Sequence, residues 1–194
     1  MAKPTPLSPP IRVAVLTVSD RCSRGETTDT TGPAVCALAE EQLAAQVVAT
    51  RCVPDEVDAI KAALLAWSET LESVGQQDPI DLIFTAGGTG LAPRDVTPEA
   101  TAAVLQRRHP GLLELARLRC FDITPRTFLS RGEAGTISQT LIINLPGSQR
   151  GATEMLTAMA DILPHAIDTL RGDVQDDGRP DADATTGKVV KHLD

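Results

Sequence analysis

Tyrosine is absent from this chain, and the aromatic total is three Phe and one Trp, 2% of 194 residues. Apolar residues still make up 42%, so the core must be built from Ala, Val, Leu and Ile. So few rings exclude nucleic-acid binding by base stacking. Net positive charge is also missing: the formal charge is −8, which argues against a binder of the phosphate backbone. Lysine is scarce too. Of 18 basic residues 14 are Arg, so bidentate local grips on phosphate stay possible. The four cysteines, Cys22, Cys36, Cys52 and Cys120, form no C-x-x-C pair and are irregularly spaced, against a zinc site. No leader-type segment precedes them, which predicts reduced thiols in the cytoplasm. His109, His165 and His192 are scattered and read as structural or surface residues. No apolar run reaches membrane-spanning length, so no membrane partner is expected. No internal repeat is present.

What is there fits one α/β domain between two tails. Residues 1–10 hold four prolines and read as a flexible N-terminal tail. Ile11 to Val18 is a β-branched run, the first strand. Gly32-Pro33 opens an Ala/Leu helix to about Ala45, and Gln46 to Val53 is a second strand. Asp55 to Val74 places Val57, Ile60, Leu64, Trp67 and Leu71 on one helical face, with Trp67 as a core anchor. Ile80 to Thr85 is the third strand, and helices follow near Thr97–Arg107 and Pro110–Cys120. Thr140 to Leu145 is a fourth strand. Ser148 then caps a long helix with Met155, Leu156, Met159, Leu163, Ile167 and Leu170 inward, which Pro164 should kink or split. The order predicts a three-layer α/β/α domain over residues 11–171, its sheet mostly parallel with helices on both faces. Residues 172–194 are acidic and polar without periodicity, and read as a solvated tail.

The densest signal is Asp81 to Glu99, DLIFTAGGTGLAPRDVTPE. A strand runs into a glycine loop, then an Arg-Asp pair, then a helix start. Gly87, Gly88 and Gly90 let backbone N–H groups meet an anion closely. Thr97 can serve as N-cap, with Pro98 at the first helical position. Asp95 adds a carboxylate and Arg94 a guanidinium, and phosphate with carboxylate suggests a magnesium–nucleotide site. The loop is neither G-x-G-x-x-G nor G-x-x-x-x-G-K-[ST], so neither Rossmann nor Walker chemistry is indicated.

In a parallel sheet the loops after the strands gather at one edge, where ligands bind. Here those loops carry Ser19-Asp20-Arg21, Pro54-Asp55-Glu56, the GGTG loop with Arg94 and Asp95, and Asn144-Leu-Pro-Gly147-Ser148. Taken singly, Asp55 and Ser148 read as helix caps. Four such loops at one edge point to a site.

On these residues the chain resembles the molybdopterin adenylyltransferase family: the bacterial Mog proteins, the related MoaB proteins and the G domains of gephyrin type. The matching segments are TVSDRCSRGETTDTTGP, VPDE, DLIFTAGGTGLAPRDVTPEAT, LSRGEAG and TLIINLPGS. The resemblance implies a molybdopterin-binding-domain fold, usually a homotrimer, that converts molybdopterin and ATP to adenylyl-molybdopterin and pyrophosphate with Mg²⁺. The product would pass to a molybdotransferase for molybdenum insertion. The family's two essential aspartates fall on Asp55 and Asp95, as catalytic residues and metal ligands. Its nucleotide loop falls on Gly87, Gly88, Thr89 and Gly90. Pterin and phosphate contacts fall on Ser19, Asp20, Pro146, Gly147 and Ser148.

The nucleophile would be a phosphate already ionised at neutral pH, so no strong general base is needed. Alignment and charge neutralisation should carry catalysis. Asp55 and Asp95 would then hold Mg²⁺ rather than abstract a proton. Arg94 pairs with Asp95 or touches substrate. Between Gly135 and Leu141 several relatives carry a basic residue where this chain has Thr-Ile-Ser-Gln-Thr. If that base grips phosphate, Arg131 or Arg150 must replace it here. The same motifs also suit a MoaB-like pterin-binding paralogue or scaffold with little or no turnover.

Overall fold

The computed structural model describes residues 9–68 and 80–172. The first β-branched run forms β1 (Arg12–Val18), followed by a one-turn helix α1 (Asp20–Ser23) and by α2 (Thr31–Leu43). Then come β2 (Gln46–Val53), α3 (Val57–Ser68), β3 (Leu82–Ala86) and α4 (Thr97–Ala102). A two-residue strand β4 (Arg107–Arg108) leads into α5 (Pro110–Cys120) and a 3-10 turn at Pro125–Leu129. The hairpin β5 (Ala134–Ile137) and β6 (Thr140–Leu145) precedes α6 (Gln149–Met159) and α7 (Leu163–Arg171).

The sheet order is β2-β1-β3-β6-β5-β4. The first four strands run parallel, and β5 and β4 are antiparallel additions at one edge. Alternation along β1 explains the three layers. Val13 and Val15 join Phe84 and Ile143 against α2, α5, α6 and α7, while Ala14 and Leu16 join Ile83 and Ile142 against α3 and α4. Both faces of the central strands are covered, so β3 and β6 are buried at every position. Trp67 is half-buried against the second core, as its helical spacing predicts.

Differences from the sequence reading sit at the edges. The helix expected to Arg107 ends at Ala102, because Gln106 N–H donates to Thr136 O (2.9 Å) and His109 N–H to Ala134 O (2.7 Å). Those bonds draw the chain into β4 and pair it with β5, two strands too short to show a period. Pro164, which has no N–H to give, splits the last helix and sits in the first turn of α7. The rest of the helix expected to Val74, with Leu71, lies outside the described residues. So do His192 and most of both tails.

At the edge where β1 and β3 begin, Asp81 and Arg171 form a buried two-pronged ion pair (2.9 and 2.7 Å). Asp81 also accepts the Arg12 N–H (2.7 Å), and Arg171 donates to the carbonyls of Pro9 and Pro10. This clasp ties the chain's first described turn, β3 and α7 together, at the opposite end of the strands from the loops discussed next.

Candidate functional site

The four loops that follow β1, β2, β3 and β6 do meet at one edge. Asp20 N–H donates to Asp55 Oδ2 (2.9 Å), and Asp55 N–H donates to Asp20 Oδ1 (3.1 Å). This reciprocal pair locks the first two loops together. Arg94 reaches from the third loop to Asp20 Oδ2 (2.5 Å from Nη2), not to its neighbour Asp95. Asp95 turns the other way, its Oδ2 accepting the Ala92 N–H (3.2 Å). The expected Arg94–Asp95 pairing is therefore replaced by a bridge across 74 residues of sequence.

The glycine loop owes its shape to two positions. Gly87 has φ +117° and sits against Val18 O, where a Cβ would collide with backbone. Gly88 has φ +63°, and a Cβ there would run into Thr97 Oγ1 and lie 2.9 Å from Asp55 Oδ1. Gly87 N–H donates to Leu145 O (3.2 Å), but the amides of Gly88, Thr89 and Gly90 have no acceptor among the described residues. Three consecutive free donors suit an anion. Thr97 does not cap α4. The cap is Val96, without a side-chain bond, and Thr97 is the first helical residue.

The loop is braced from outside. Arg131 donates from Nε to Gly90 O and from Nη2 to Asp95 O (both 2.7 Å), and pairs with Glu99. Its own N–H donates to Thr89 O (2.8 Å). Ser19 Oγ accepts the Cys22 N–H and caps α1, while Ser148 Oγ accepts the Gly151 N–H and caps α6. In the free protein both serines therefore hold turns. Thr31 Oγ1 donates to Gly147 O (2.9 Å), fixing the Pro146–Ser148 turn beside Gly87.

Two cavities adjoin at this edge. The larger, about 760 Å³, is lined by Thr89, Gly90, Asp95, Arg126, Ser148 and Arg150, among others. The smaller, about 340 Å³, is lined by Thr17, Ser19, Asp29, Asp55 and Gly87. Gly88 and Gly147 line both. Asp55 thus lines the smaller cavity against Gly88 and Asp95 the larger one against Gly90. Burial raises the Asp55 carboxyl above its ordinary range, and the charges of Asp20 and Asp95 add to that against the Asp20 amide bond. Asp20 is held below the ordinary range, chiefly by the Arg94 hydrogen bond.

A cation would relieve the crowding at Asp55. The donors available are hard carboxylate oxygens, which suit magnesium rather than a soft metal. Among the described residues no group of three or more His, Cys, Asp or Glu could hold a metal alone. Magnesium accepts that arrangement, since it is usually held by one or two carboxylates with phosphate oxygens completing its shell.

Sequence reasoning missed several participants. Asp29 accepts from Thr17 Oγ1 (2.5 Å) and from the amides of Thr31 and Gly32, so it ties down the first turn of α2 from just outside its N-cap, Thr30, and walls the smaller cavity. Its signal was present: Asp29 stands two and three residues before Thr31 and Gly32, the reach at which an Asp side chain accepts from the first amides of a helix. Arg131 is a brace rather than an open phosphate grip. Arg150 pairs with Glu154 (2.7 Å) while lining the larger cavity. The Ser138-Gln139 turn, within the segment where the resemblance leads one to expect a basic residue, lies at the opposite edge, beside Ile80, whose carbonyl accepts Thr140 Oγ1 (2.7 Å). Residues 135–141 line neither of the two cavities at the site. His109 and His165 are exposed. Among the described residues no helix is long and apolar enough to cross a membrane.

Comparison with known proteins gives a consistent picture. The family described as "Probable molybdopterin binding domain" matches residues 14–165. The chain is 39% identical over 164 residues to the molybdenum cofactor synthesis protein cinnamon of Drosophila melanogaster. It is 42% identical over 166 residues to gephyrin of Dictyostelium discoideum. It spans only 26% and 22% of those two longer proteins. The molybdopterin adenylyltransferase of Helicobacter pylori is 37% identical over 163 residues, covering 84% of this chain and 89% of the relative. Among solved structures, the molybdopterin biosynthesis enzyme MoaB from Thermus thermophilus superposes with a TM-score of 0.75 at 47% identity, covering 84% of this chain and 97% of that one. A MogA structure gives 0.73 at 36% identity, covering 82% and 99%.

Proposed function

This chain belongs to the molybdopterin-binding-domain family, and we propose that it transfers the adenylyl group of ATP to molybdopterin in molybdenum cofactor biosynthesis. In that reaction an oxygen of the pterin's terminal phosphate attacks the α-phosphorus of ATP. A new P–O–P bond forms, the α–β bond breaks, and pyrophosphate leaves. No proton has to be removed from the nucleophile, which suits a site without histidine.

The observation that carries this reading is the pair of adjoining cavities divided by Gly88 and Gly147, with one aspartate in each. Two substrates that must meet end to end need that arrangement. The free amides of Gly88, Thr89 and Gly90 would hold phosphate oxygens at the seam. Asp55 and Asp95 would hold a magnesium ion, which supplies neutralisation of the triphosphate charge. Arg94 positions Asp20, which positions the Asp55 loop. Alignment and electrostatics account for the rate, as in other phosphoryl and nucleotidyl transfers. Ser19, Asp20, Pro146, Gly147 and Ser148 would border the bound pterin phosphate and nucleotide. We place the working protein in the cytoplasm as a homotrimer that hands its product to a molybdotransferase.

The test is direct. Purified protein with molybdopterin, ATP and Mg²⁺ should form adenylyl-molybdopterin, followed by chromatography, and Asp95→Asn should abolish the product while leaving the fold intact. The 47% identity to the Thermus MoaB favours one second reading, a MoaB-like paralogue with little turnover. Tight pterin binding without product would select it.

A further inference from the structure

Thr97 opens α4 and is fully buried, at 0% exposure. Its N–H donates to Gly88 O (3.1 Å), but its hydroxyl has no partner among the described residues. Most buried threonines around it are satisfied, Thr127 of the 3-10 turn being the exception. Thr17 donates to Asp29, Thr85 and Thr101 share the Asn144 amide, and Thr89 accepts from Ser130. Standing in the first turn, Thr97 has no helical carbonyl behind it for back-bonding. An unmade buried hydrogen bond is destabilising, and valine fills the same space without that cost. A hydroxyl at such a position is free to take a partner in another state of the protein.

The neighbouring carboxylate supplies one. Asp55 Oδ2 accepts the Asp20 amide, whereas Oδ1 has no donor among the described residues. Thr97 Oγ1 and Asp55 Oδ1 both press on the point where Gly88 would carry a Cβ. An unused donor and an unused acceptor therefore lie beneath Gly88, one of the two glycines that line both cavities.

We propose that Thr97 is a positioning residue for Asp55: when the site is engaged, its hydroxyl donates to Oδ1 and fixes the carboxylate beneath Gly88. The proposal rests on the reading of Asp55 as a ligand-holding carboxylate. Since both side chains already lie against Gly88, rotation of the side chains closes the pair. The carboxylate keeps lone pairs free for a cation.

Two variants test it, Thr97→Val and Thr97→Ser, with two readouts: the unfolding midpoint of the ligand-free protein, and calorimetric titration with Mg-ATP. The Val variant should melt at or above the unaltered protein yet bind Mg-ATP about ten- to hundredfold more weakly, the worth of a hydrogen bond to a charged group. The Ser variant should recover most of the affinity. Unchanged affinity in Thr97→Val overturns the proposal. A Val variant that melts well below the unaltered protein also overturns it, because the hydroxyl then has a structural partner. If the unaltered protein itself shows no Mg-ATP binding, the adenylyl reading falls and the proposal falls with it.

Discussion

Arg131 separates two accounts of this site by a measurement on stability. As a phosphate grip it would be unengaged in the free protein and would matter only to substrate. The structure instead engages all three guanidinium nitrogens, on Gly90 O, Asp95 O and the Glu99 carboxylate. The two bonds to carbonyls are charge-assisted, each of a kind that contributes about 1.5–3 kcal/mol. The side chain is 36% exposed, so water recovers part of that, and the lower end applies. The Glu99 pair is exposed on both sides and adds at most about 1 kcal/mol. Arg131→Met should therefore cost about 3 kcal/mol, read as a lower urea midpoint at unchanged m-value. At about 2–4 °C per kcal/mol for a chain of this size, the melting point should fall by about 6–12 °C. Turnover should fall about tenfold to a hundredfold through kcat, since the loop bearing Asp95 and the free amides is released. Arg131→Lys keeps the charge but not the fork, and should fall between. A melting point within about 2 °C of the unaltered protein, together with a large rise in the KM for ATP, would refute the bracing role.

Two further outcomes follow from the same geometry. Arg171→Met leaves the Asp81 carboxylate buried with the Arg12 amide as its remaining donor among the described residues. It should cost about 3–5 kcal/mol in urea unfolding, most of it recovered by adding Asp81→Leu, with activity per folded molecule unchanged because the clasp sits at the far end of the strands. A loss under about 1 kcal/mol would show the pair to be solvated. The second outcome concerns Asp55, whose carboxyl is raised in the folded state by burial and by the charges of Asp20 and Asp95. A raised carboxyl binds its proton more tightly folded than unfolded, so its ionisation costs stability above the folded value and nothing below the unfolded one. Asp55→Asn should therefore stabilise the ligand-free protein at neutral pH, with the gain vanishing as pH falls to about 4. A gain that stays constant with pH would place its cause elsewhere.

The parts of this molecule that sequence exposes are those where chemistry repeats along the chain. β1, β3 and β6 are buried on both faces, so they read as mostly apolar runs of strand length. The glycine loop shows because Gly87 and Gly88 occupy backbone conformations that other residues rarely adopt. Edge pieces carry no such mark. β4 has two residues, and what makes it a strand is its pairing with β5, a contact invisible until both are placed.

The polar partnerships of the site were hidden for a related reason. Arg94 beside Asp95 looks like a pair in one dimension, yet successive residues of a turn point apart, and the fold brings Asp20 to Arg94 while Ala92 takes Asp95. Asp20 and Asp55 exchange bonds because β1 and β2 are parallel neighbours whose ends come level, with Val18 opposite Val53. Each aspartate is thereby fixed by the loop of a different strand. The consequence is mechanical: Asp55 cannot shift without Asp20 and Arg94, and Asp95 cannot shift without Arg131. A site that must hold two anionic groups against each other gains rigidity from that cross-bracing, and its side-chain roles could be read only once the sheet had set which loops are neighbours.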